Sequence, residues 1–280
     1  MHSSVLGEPE LSMPAFAAPE HSIHGNDDHS SQGVAPLLSR AVSILRCFTQ
    51  EQNTMSAKEL GQRSGIPRSS THRLINDLVQ LGMLSKTSSG RFCVGSLVWE
   101  LAQYSELQFK LRQAAQVHLT RLYDASGENV FLGVLTTNAP DTAEAMYVGH
   151  VRGTRSAPTR AQEGKVFPIL ATAMGAALTF TQSHEWRDEL VRHISPRQSA
   201  LASGSANEIR RALAAGKQKG YYVQHRTGSV AIAAPIPGGD GYPNAAVEIV
   251  MSPERWDEAF FARNIRAAAQ AIARELRSGD

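Results

Sequence analysis

The sequence has 280 residues, a length that accommodates two domains of ordinary size. Its formal net charge is only +2, so affinity for nucleic acid has to come from a local patch. Two distant cysteines, Cys47 and Cys93, argue against a disulfide scaffold and a thiolate zinc site. The N-terminus has no secretory pattern, and no apolar run reaches the ~20 residues of a membrane span. These features favour a cytoplasmic protein with no membrane partner.

Residues 1–35 form an acidic segment rich in serine, proline, glycine and histidine, with no lysine or arginine. Such a composition buries too little apolar surface to offset its ordering entropy, so a disordered tail is predicted. The irregular spacing of its histidines favours solvated side chains over a metal site. The sequence predicts no metal and no cofactor.

Residues 36–96 have the highest density of net positive charge in the chain, and their pattern predicts three short helices. The first runs from about Ser39 to Phe48, with Val42 and Leu45 on one face. A second begins at the capping box formed by Ser56 and Glu59 and stops at Gly65. A third follows Pro67, carries an apolar stripe of Leu74, Ile75, Leu78 and Leu81, and ends at Gly82.

A basic β-hairpin is predicted next, because two short apolar runs flank Thr87-Ser88-Ser89-Gly90. This order of elements is typical of a winged helix-turn-helix, whose third helix enters the major groove of DNA. Its first turn supplies short polar groups between cations. The candidate DNA-binding residues are Arg40, Lys86 and Arg91 for phosphates, Ser69, Ser70, Thr71 and His72 for bases, and the flanking Arg68 and Arg73. Solvated side chains that only cap the helix are the alternative.

Residues 97–122 read as a helical segment that links two domains and is a candidate dimer contact. Trp99 is its largest apolar side chain. Packing of Trp99 on its own domain is an equally good interpretation.

Residues 110–280 mix predicted strands and helices without regular βαβ alternation, which favours an α+β domain with a largely antiparallel sheet. The strands are expected near residues 129–135, 145–151, 221–224, 229–236 and 244–251. A helix of very small residues is expected at 171–178, an amphipathic helix at 206–219 and a closing helix at 253–277.

Several motifs carry a family resemblance, namely Ser39-Arg40-Ala41-Val42-Ser43-Ile44-Leu45, Gly65-Ile66-Pro67-Arg68-Ser69-Ser70 with Arg73-Leu74, Phe92-Cys93-Val94-Gly95, the segment 171–178, Lys219-Gly220-Tyr221 and Ile232-Ala233-Ala234-Pro235-Ile236. Together they resemble the IclR family of transcriptional regulators. The resemblance covers about residues 36–275, in the family's order. It implies a GAF-like effector-binding domain, a homodimer or homotetramer, and operator binding controlled by a small-molecule effector.

The resemblance also implies an effector pocket. Its walls are the helix around Ala173, Met174 and Gly175, where small residues admit a ligand, and the strand with Ile232 and Ala234. The loop 224–228 departs from the family pattern, since it is basic and shorter. It favours an anionic or hydrogen-bond-rich effector that contacts His225 or Arg226, unless both are simply solvated.

The sequence thus predicts a ligand-responsive transcriptional regulator that binds a near-palindromic operator and a small organic acid, with aromatic acids among the candidates. One alternative is a DNA-binding protein whose C-terminal domain only oligomerises. A cavity lined by Met174, Ile232 and Ala234 distinguishes the two. An enzyme is a weaker alternative, because nucleophile-elbow, P-loop, zinc-protease and dinucleotide motifs are absent from the sequence.

Overall fold

The structure is a computed structural model that describes residues 36–49, 52–104, 110–154, 157, 159, 161–194, 204–238 and 244–278. The predicted tail, residues 1–35, lies outside the described residues. The chain divides into two compact units, residues 1–100 and 101–280.

The N-terminal unit has the predicted winged helix-turn-helix. Its elements are α1 (Pro36–Leu45), α2 (Ala57–Ser64), α3 (Arg68–Gln80), β1 (Leu84–Lys86) and β2 (Phe92–Val94). Helix α1 begins about one turn earlier than predicted, and the side of the helix that faces the core differs from the predicted one. Ile44 is fully buried, whereas Val42, which was expected on the apolar face, is 46% exposed.

Both predicted signals for α2 are present. Ser56 and Glu59 form a reciprocal capping box, and Gly65 ends the helix in the left-handed region at φ 69°. Leu60, Leu74, Ile75 and Leu78 then close the core between α2 and α3.

The wing is a β1–β2 hairpin that pairs Leu84 with Val94 and Lys86 with Phe92. Met55 adds a bridge to Phe92, with reciprocal backbone bonds of 2.9 and 2.7 Å. This bridge joins the hairpin to the chain just before α2, so the wing is held from both sides.

The predicted helical segment 97–122 is described as two helices, α4 (Ser96–Gln103) and α5 (Arg112–Ser126). Residues 105–109 between them lie outside the described residues. Trp99 on α4 is 70% exposed.

The C-terminal unit contains a six-stranded sheet of β3 (Asn129–Leu135), β4 (Glu144–Val151), β5 (Val166–Pro168), β6 (Tyr222–Arg226), β7 (Ser229–Ile236) and β8 (Ala245–Met251). Its strand order is β5-β4-β3-β8-β7-β6, and each neighbouring pair is antiparallel. The predicted α+β architecture is therefore present. The helices are α6 (Ala173–Leu178), α7 (His184–Arg192), α8 (Ala206–Lys219) and α9 (Glu258–Ser278). Strand β5 and helix α7 were not predicted.

The sheet is covered on both faces. Helices α5 and α9 pack on one face, against side chains such as Ile232, Val247 and Ile249. Helices α6, α7 and α8 pack on the other, against Phe131, Ala233 and Ala246. Because side chains alternate along a strand, each residue of a central strand belongs to one of these two layers.

Helix α6 lies unusually close to its neighbours. A Cβ atom at Gly175 would lie 1.7 Å from the carbonyl oxygen of Ile169, and one at Gly133 would lie 2.8 Å from Met174 Sδ. The small residues of this helix therefore serve close packing of backbone and sheet.

We expect Gly175→Ala to lower the free energy of unfolding by about 2 kcal/mol or more, because the Ile169 backbone has to move. Gly238→Ala is the control, since a Cβ there meets no atom of the described residues within 4 Å. Denaturant unfolding measures both. Equal stability of the two variants would contradict the close packing of α6.

Candidate DNA-binding and effector sites

The first turns of α3 present a polar, cationic outer face. Arg68, Ser69, His72 and Arg73 are exposed, and Ser70 is half-buried. Leu74, Ile75 and Leu78 of the predicted apolar stripe face the core, whereas Leu81 is 63% exposed, so the polar face is available to a duplex. The free N–H groups of the helix start favour a nearby phosphate.

The expectation that Thr71 reads bases is wrong, because this side chain faces inward. Thr71 is 1% exposed, and its hydroxyl donates to the carbonyls of Ile66 at 3.0 Å and Pro67 at 3.1 Å. Its Oγ1 also lies where a Cβ on Gly61 would approach to 3.2 Å. Thr71 therefore fixes the turn between α2 and α3.

Asn76 is a candidate that the sequence reasoning missed. It is exposed and follows Ser69, His72 and Arg73 at helical spacing on the outer face of α3. An asparagine amide can bond both edge atoms of an adenine in the major groove. The 3.6-residue period from Ser69 would have found it.

Two of the three predicted phosphate ligands are exposed cations. Arg40 lies on α1 and Lys86 lies at the end of β1 in the wing. Both remain candidates for contact with the DNA backbone.

Arg91, the third candidate, is engaged within the protein. Its guanidinium lies 3.0 Å from Glu59 Oε2 and donates to the Thr54 carbonyl at 2.9 Å. Hydrogen bonds from Ser56, together with Arg91, lower the pKa of Glu59 to about 2. Arg91 therefore joins the wing to the start of α2, and a contact with phosphate, which stays untested, would compete with these partners.

The two predicted walls of the effector pocket lie on opposite faces of the sheet. Ile232 and Ala234 pack in the layer of α5 and α9, whereas Met174 packs in the layer of α6. They cannot line one cavity with Met174, so that part of the prediction is wrong. Ala233 is the β7 residue that faces α6.

The reason proposed for small residues in α6 is also wrong at Gly175. The Ile169 backbone occupies the space beside Gly175, so no ligand lies there. Ala173 and Met174 are fully buried within the same layer.

His225 and Arg226 are neighbours in β6 and point to opposite faces. The His225 ring contacts Trp256 edge-on, with 5.9 Å between centroids, on the side of α9. Arg226 Nη2 donates to the Ala171 carbonyl at 2.6 Å, on the side of α6. Only Arg226 can therefore contact a ligand beside α6.

The most unusual group of the α6 layer is Glu248, which the sequence reasoning also missed. It lies in the middle of β8 and is 2% exposed. Met174 N–H donates to its Oε1 and Tyr147 Oη donates to its Oε2, both at 2.8 Å. Burial raises the pKa of Glu248 to about 7, although these two hydrogen bonds and the charge of Arg226 oppose the shift. A single acidic residue inside the apolar run 245–251 was the available signal.

A surface depression lies between the end of α8 and the first turns of α9, with Tyr221 in its lining. Its charged groups pair with each other, because Glu258 accepts from Tyr221 Oη at 2.7 Å and from Lys219 Nζ at 3.2 Å. Arg266 covers the Tyr221 ring at 5.9 Å.

Among the described residues, no helix combines the length and apolarity of a membrane crossing. Within the same ranges, no three potential metal-ligating side chains of His, Cys, Asp or Glu cluster together.

Comparison with known families covers most of the chain. Residues 37–88 match the family described as IclR helix-turn-helix domain, and residues 106–276 match Bacterial transcriptional regulator IclR C-terminal. The chain belongs to the IclR family. This IclR-family protein is a DNA-binding transcriptional regulator and not an enzyme, in agreement with the sequence prediction.

Related proteins match it over most of their length. It is 24% identical to the HTH-type transcriptional regulator XynR of Escherichia coli over 249 residues, which is 85% of this chain and 96% of XynR. It is 27% identical to the transcriptional repressor IclR of the same organism over 224 residues, covering 78% and 80%.

Among solved structures, it resembles an IclR homologue from Microbacterium hydrocarbonoxydans, crystallised in complex with 4-hydroxybenzoate. The TM-score is 0.74 and the sequence identity is 26%, over 86% of this chain and 99% of the homologue.

In this IclR-family protein, we expect Lys86→Ala to reduce the slope of log K against log salt for DNA binding by about one, because one phosphate contact is lost. Arg91→Ala should leave that slope unchanged and lower the melting temperature of the N-terminal unit. Fluorescence anisotropy and thermal unfolding measure the two effects. A smaller slope for Arg91→Ala would show that Arg91 contacts a DNA phosphate.

Glu248 should make stability depend on pH. Its folded-state pKa of about 7 lies above the ~4 of an exposed glutamate, so the folded state holds the proton more tightly between these values. The unfolding free energy therefore falls as pH rises through this window. Above about pH 7, the folded state bears the full free-energy cost of burying ionised Glu248. Relative to wild type, E248Q should gain on the order of 2 kcal/mol between pH 5 and pH 8. A constant difference at both pH values in denaturant unfolding would contradict this.

Proposed function

We propose that this protein binds a near-palindromic operator as a homodimer or homotetramer in the cytoplasm and senses a small organic acid in its C-terminal domain. The observation that carries the DNA-binding part is the outward face of α3, where Ser69, His72 and Arg73 lie exposed while Thr71 faces the core. A helix with this division can insert its first turns into a major groove.

Each part of the interface has its own role in this proposal. Ser69, Ser70, His72 and Asn76 read base edges, and Arg40, Arg68, Arg73 and Lys86 hold phosphates. In a two-fold dimer, the two copies of α3 enter successive major grooves about 34 Å apart, which requires a near-palindrome.

Exposed apolar side chains on two helices support self-association. Leu37 and Leu38 on α1 are 62% and 61% exposed, Trp99 on α4 is 70% exposed, and Tyr104 just after α4 is 81% exposed. Large apolar surfaces on a monomer are typical of interaction sites. We propose that α1 and α4 contribute to the contact with a second copy.

The effector part rests on similarity and on the chemistry beside α6. The homologue from Microbacterium hydrocarbonoxydans is described in complex with 4-hydroxybenzoate. In this chain, the same domain places Arg226 beside the start of α6, where a cation favours an acid. We propose an aromatic acid as the effector, received on the α6 face of the sheet. A domain that only oligomerises is the second candidate.

A binding assay with DNA from upstream of the protein's own gene tests the function. We expect preference for one such fragment over random competitor DNA, and a changed operator affinity when 4-hydroxybenzoate or a related acid is added. No preference for any upstream fragment would contradict operator binding. Operator binding that no organic acid alters would favour the oligomerisation role.

Asn76→Ala should change operator selectivity. Loss of a base contact costs about 1–3 kcal/mol on the preferred sequence, so affinity for the operator falls roughly 5- to 150-fold while affinity for random DNA is unchanged. Asn207→Ala, at an exposed asparagine of α8, is the matched control. Equal losses on operator and random DNA would show that Asn76 does not read bases.

A further inference from the structure

Glu248 is a buried acid in a layer made mostly of apolar side chains. Its cross-strand neighbours in β8 are Phe131 on β3 and Ala233 on β7, and both are fully buried and apolar. A carboxylate in such a place is costly unless hydrogen bonds and a nearby cation compensate. A residue of this kind, in the domain that is proposed to hold the effector, calls for a role beyond packing.

The hydrogen bonds to Glu248 leave capacity for a further donor. Each carboxylate oxygen has two acceptor positions, and one donor reaches each oxygen, from Met174 N–H and from Tyr147 Oη. Both donors are neutral groups. A cation on this face, Arg226, acts on Glu248 through its charge while its guanidinium binds the Ala171 carbonyl.

A polar connection runs from the surface to this carboxylate. Thr172, which precedes α6 and is half-buried, is hydrogen-bonded to the Tyr147 hydroxyl, and Tyr147 donates to Glu248. Ala171, which precedes Thr172 in the chain, accepts a hydrogen bond from Arg226. The outer end of this connection therefore carries the positive charge of Arg226, and the inner end carries the acceptor oxygens of Glu248. Both residues lie on the α6 face of the sheet.

This arrangement is selective among organic acids. Above about pH 7, where Glu248 is ionised, a ligand that brings only a carboxylate towards it meets a like charge, which is unfavourable in a buried place. A ligand with a carboxylate at one end and a hydroxyl or amine at the other can direct the first to Arg226 and the second to Glu248. A site built to accept a hydrogen bond rejects the analogue that lacks the donor, because the acceptor then stays unpaired.

We propose that Glu248 is the specificity-determining residue of the effector site, and that it restricts the effector to acids that also present a hydroxyl or amine donor to its carboxylate. This inference rests on the proposed effector function. It predicts the class of ligand, namely a hydroxy- or amino-substituted aromatic acid, and assigns its donor to one named residue.

Calorimetric titration of the full-length protein with a matched panel tests the inference. The probes are benzoate, 4-methoxybenzoate, 4-hydroxybenzoate, 3-hydroxybenzoate and 4-aminobenzoate, which share the ring and the acid and differ in the donor. Wild type should bind at least one donor-bearing member tenfold or more tighter than both benzoate and 4-methoxybenzoate. In E248Q, that ratio should fall below about threefold, since the neutral amide does not repel the acid and accepts more weakly.

Control variants separate specificity from folding. E185Q neutralises an exposed glutamate in the same domain and should keep the wild-type ratio. If E248Q does not fold, as judged by circular dichroism, E248D takes its place. This variant keeps the charge, withdraws it by one methylene group, and should reduce the ratio. A loss of binding to all probes in equal proportion would indicate a structural role and overturn the inference.

The two levels of the proposal fail differently. If wild type binds benzoate or 4-methoxybenzoate as tightly as the donor-bearing acids, the effector function stands and the specificity role of Glu248 is wrong. Retention of the wild-type ratio by E248Q also overturns that role. If no member of the panel binds, both the aromatic-acid effector and the role assigned to Glu248 are contradicted.

Discussion

Burial of the six-stranded sheet on both faces is the constraint on which the C-terminal unit depends. Strand side chains alternate, so β7 sends Ile232 towards α5 and α9 and Ala233 towards α6. The same rule sends Arg226 to one face and His225 to the other. A ligand that enters the domain can therefore meet only one of each such pair, and the face of α6 carries the groups that suit an acid.

Glu248 is the exception to the apolar character of that face. Its carboxylate links three elements, because it accepts from Tyr147 on β4 and from the Met174 backbone on α6 while it lies on β8. A ligand that bonds to Glu248 can therefore change the position of α6 relative to the sheet. In the N-terminal unit, the Thr71 hydroxyl holds the turn between α2 and α3, and Arg91 joins the wing to the start of α2.

Much of the fold was predictable from local signals. The capping box at Ser56, the helix end at Gly65 and the strand Ser229–Ile236 follow from short-range chemistry and periodicity. The site was less predictable because it depends on which face a residue takes once the strands pair. The family resemblance implied that Met174 and Ile232 line one pocket, whereas tertiary packing places them on opposite faces of the sheet. Thr71 and Arg91 have the right chemistry for DNA, and only the three-dimensional structure shows that Thr71 is buried and that Arg91 pairs with Glu59.

The most direct test of the account is a crystal structure of the protein with the tightest-binding aromatic acid. The account predicts a ligand on the α6 face of the sheet, with its donor atom within about 3.5 Å of a Glu248 carboxylate oxygen and its acid group towards Arg226. A ligand bound between α8 and α9 at Lys219 and Arg266, or one on the α6 face with no polar atom near Glu248, would contradict it.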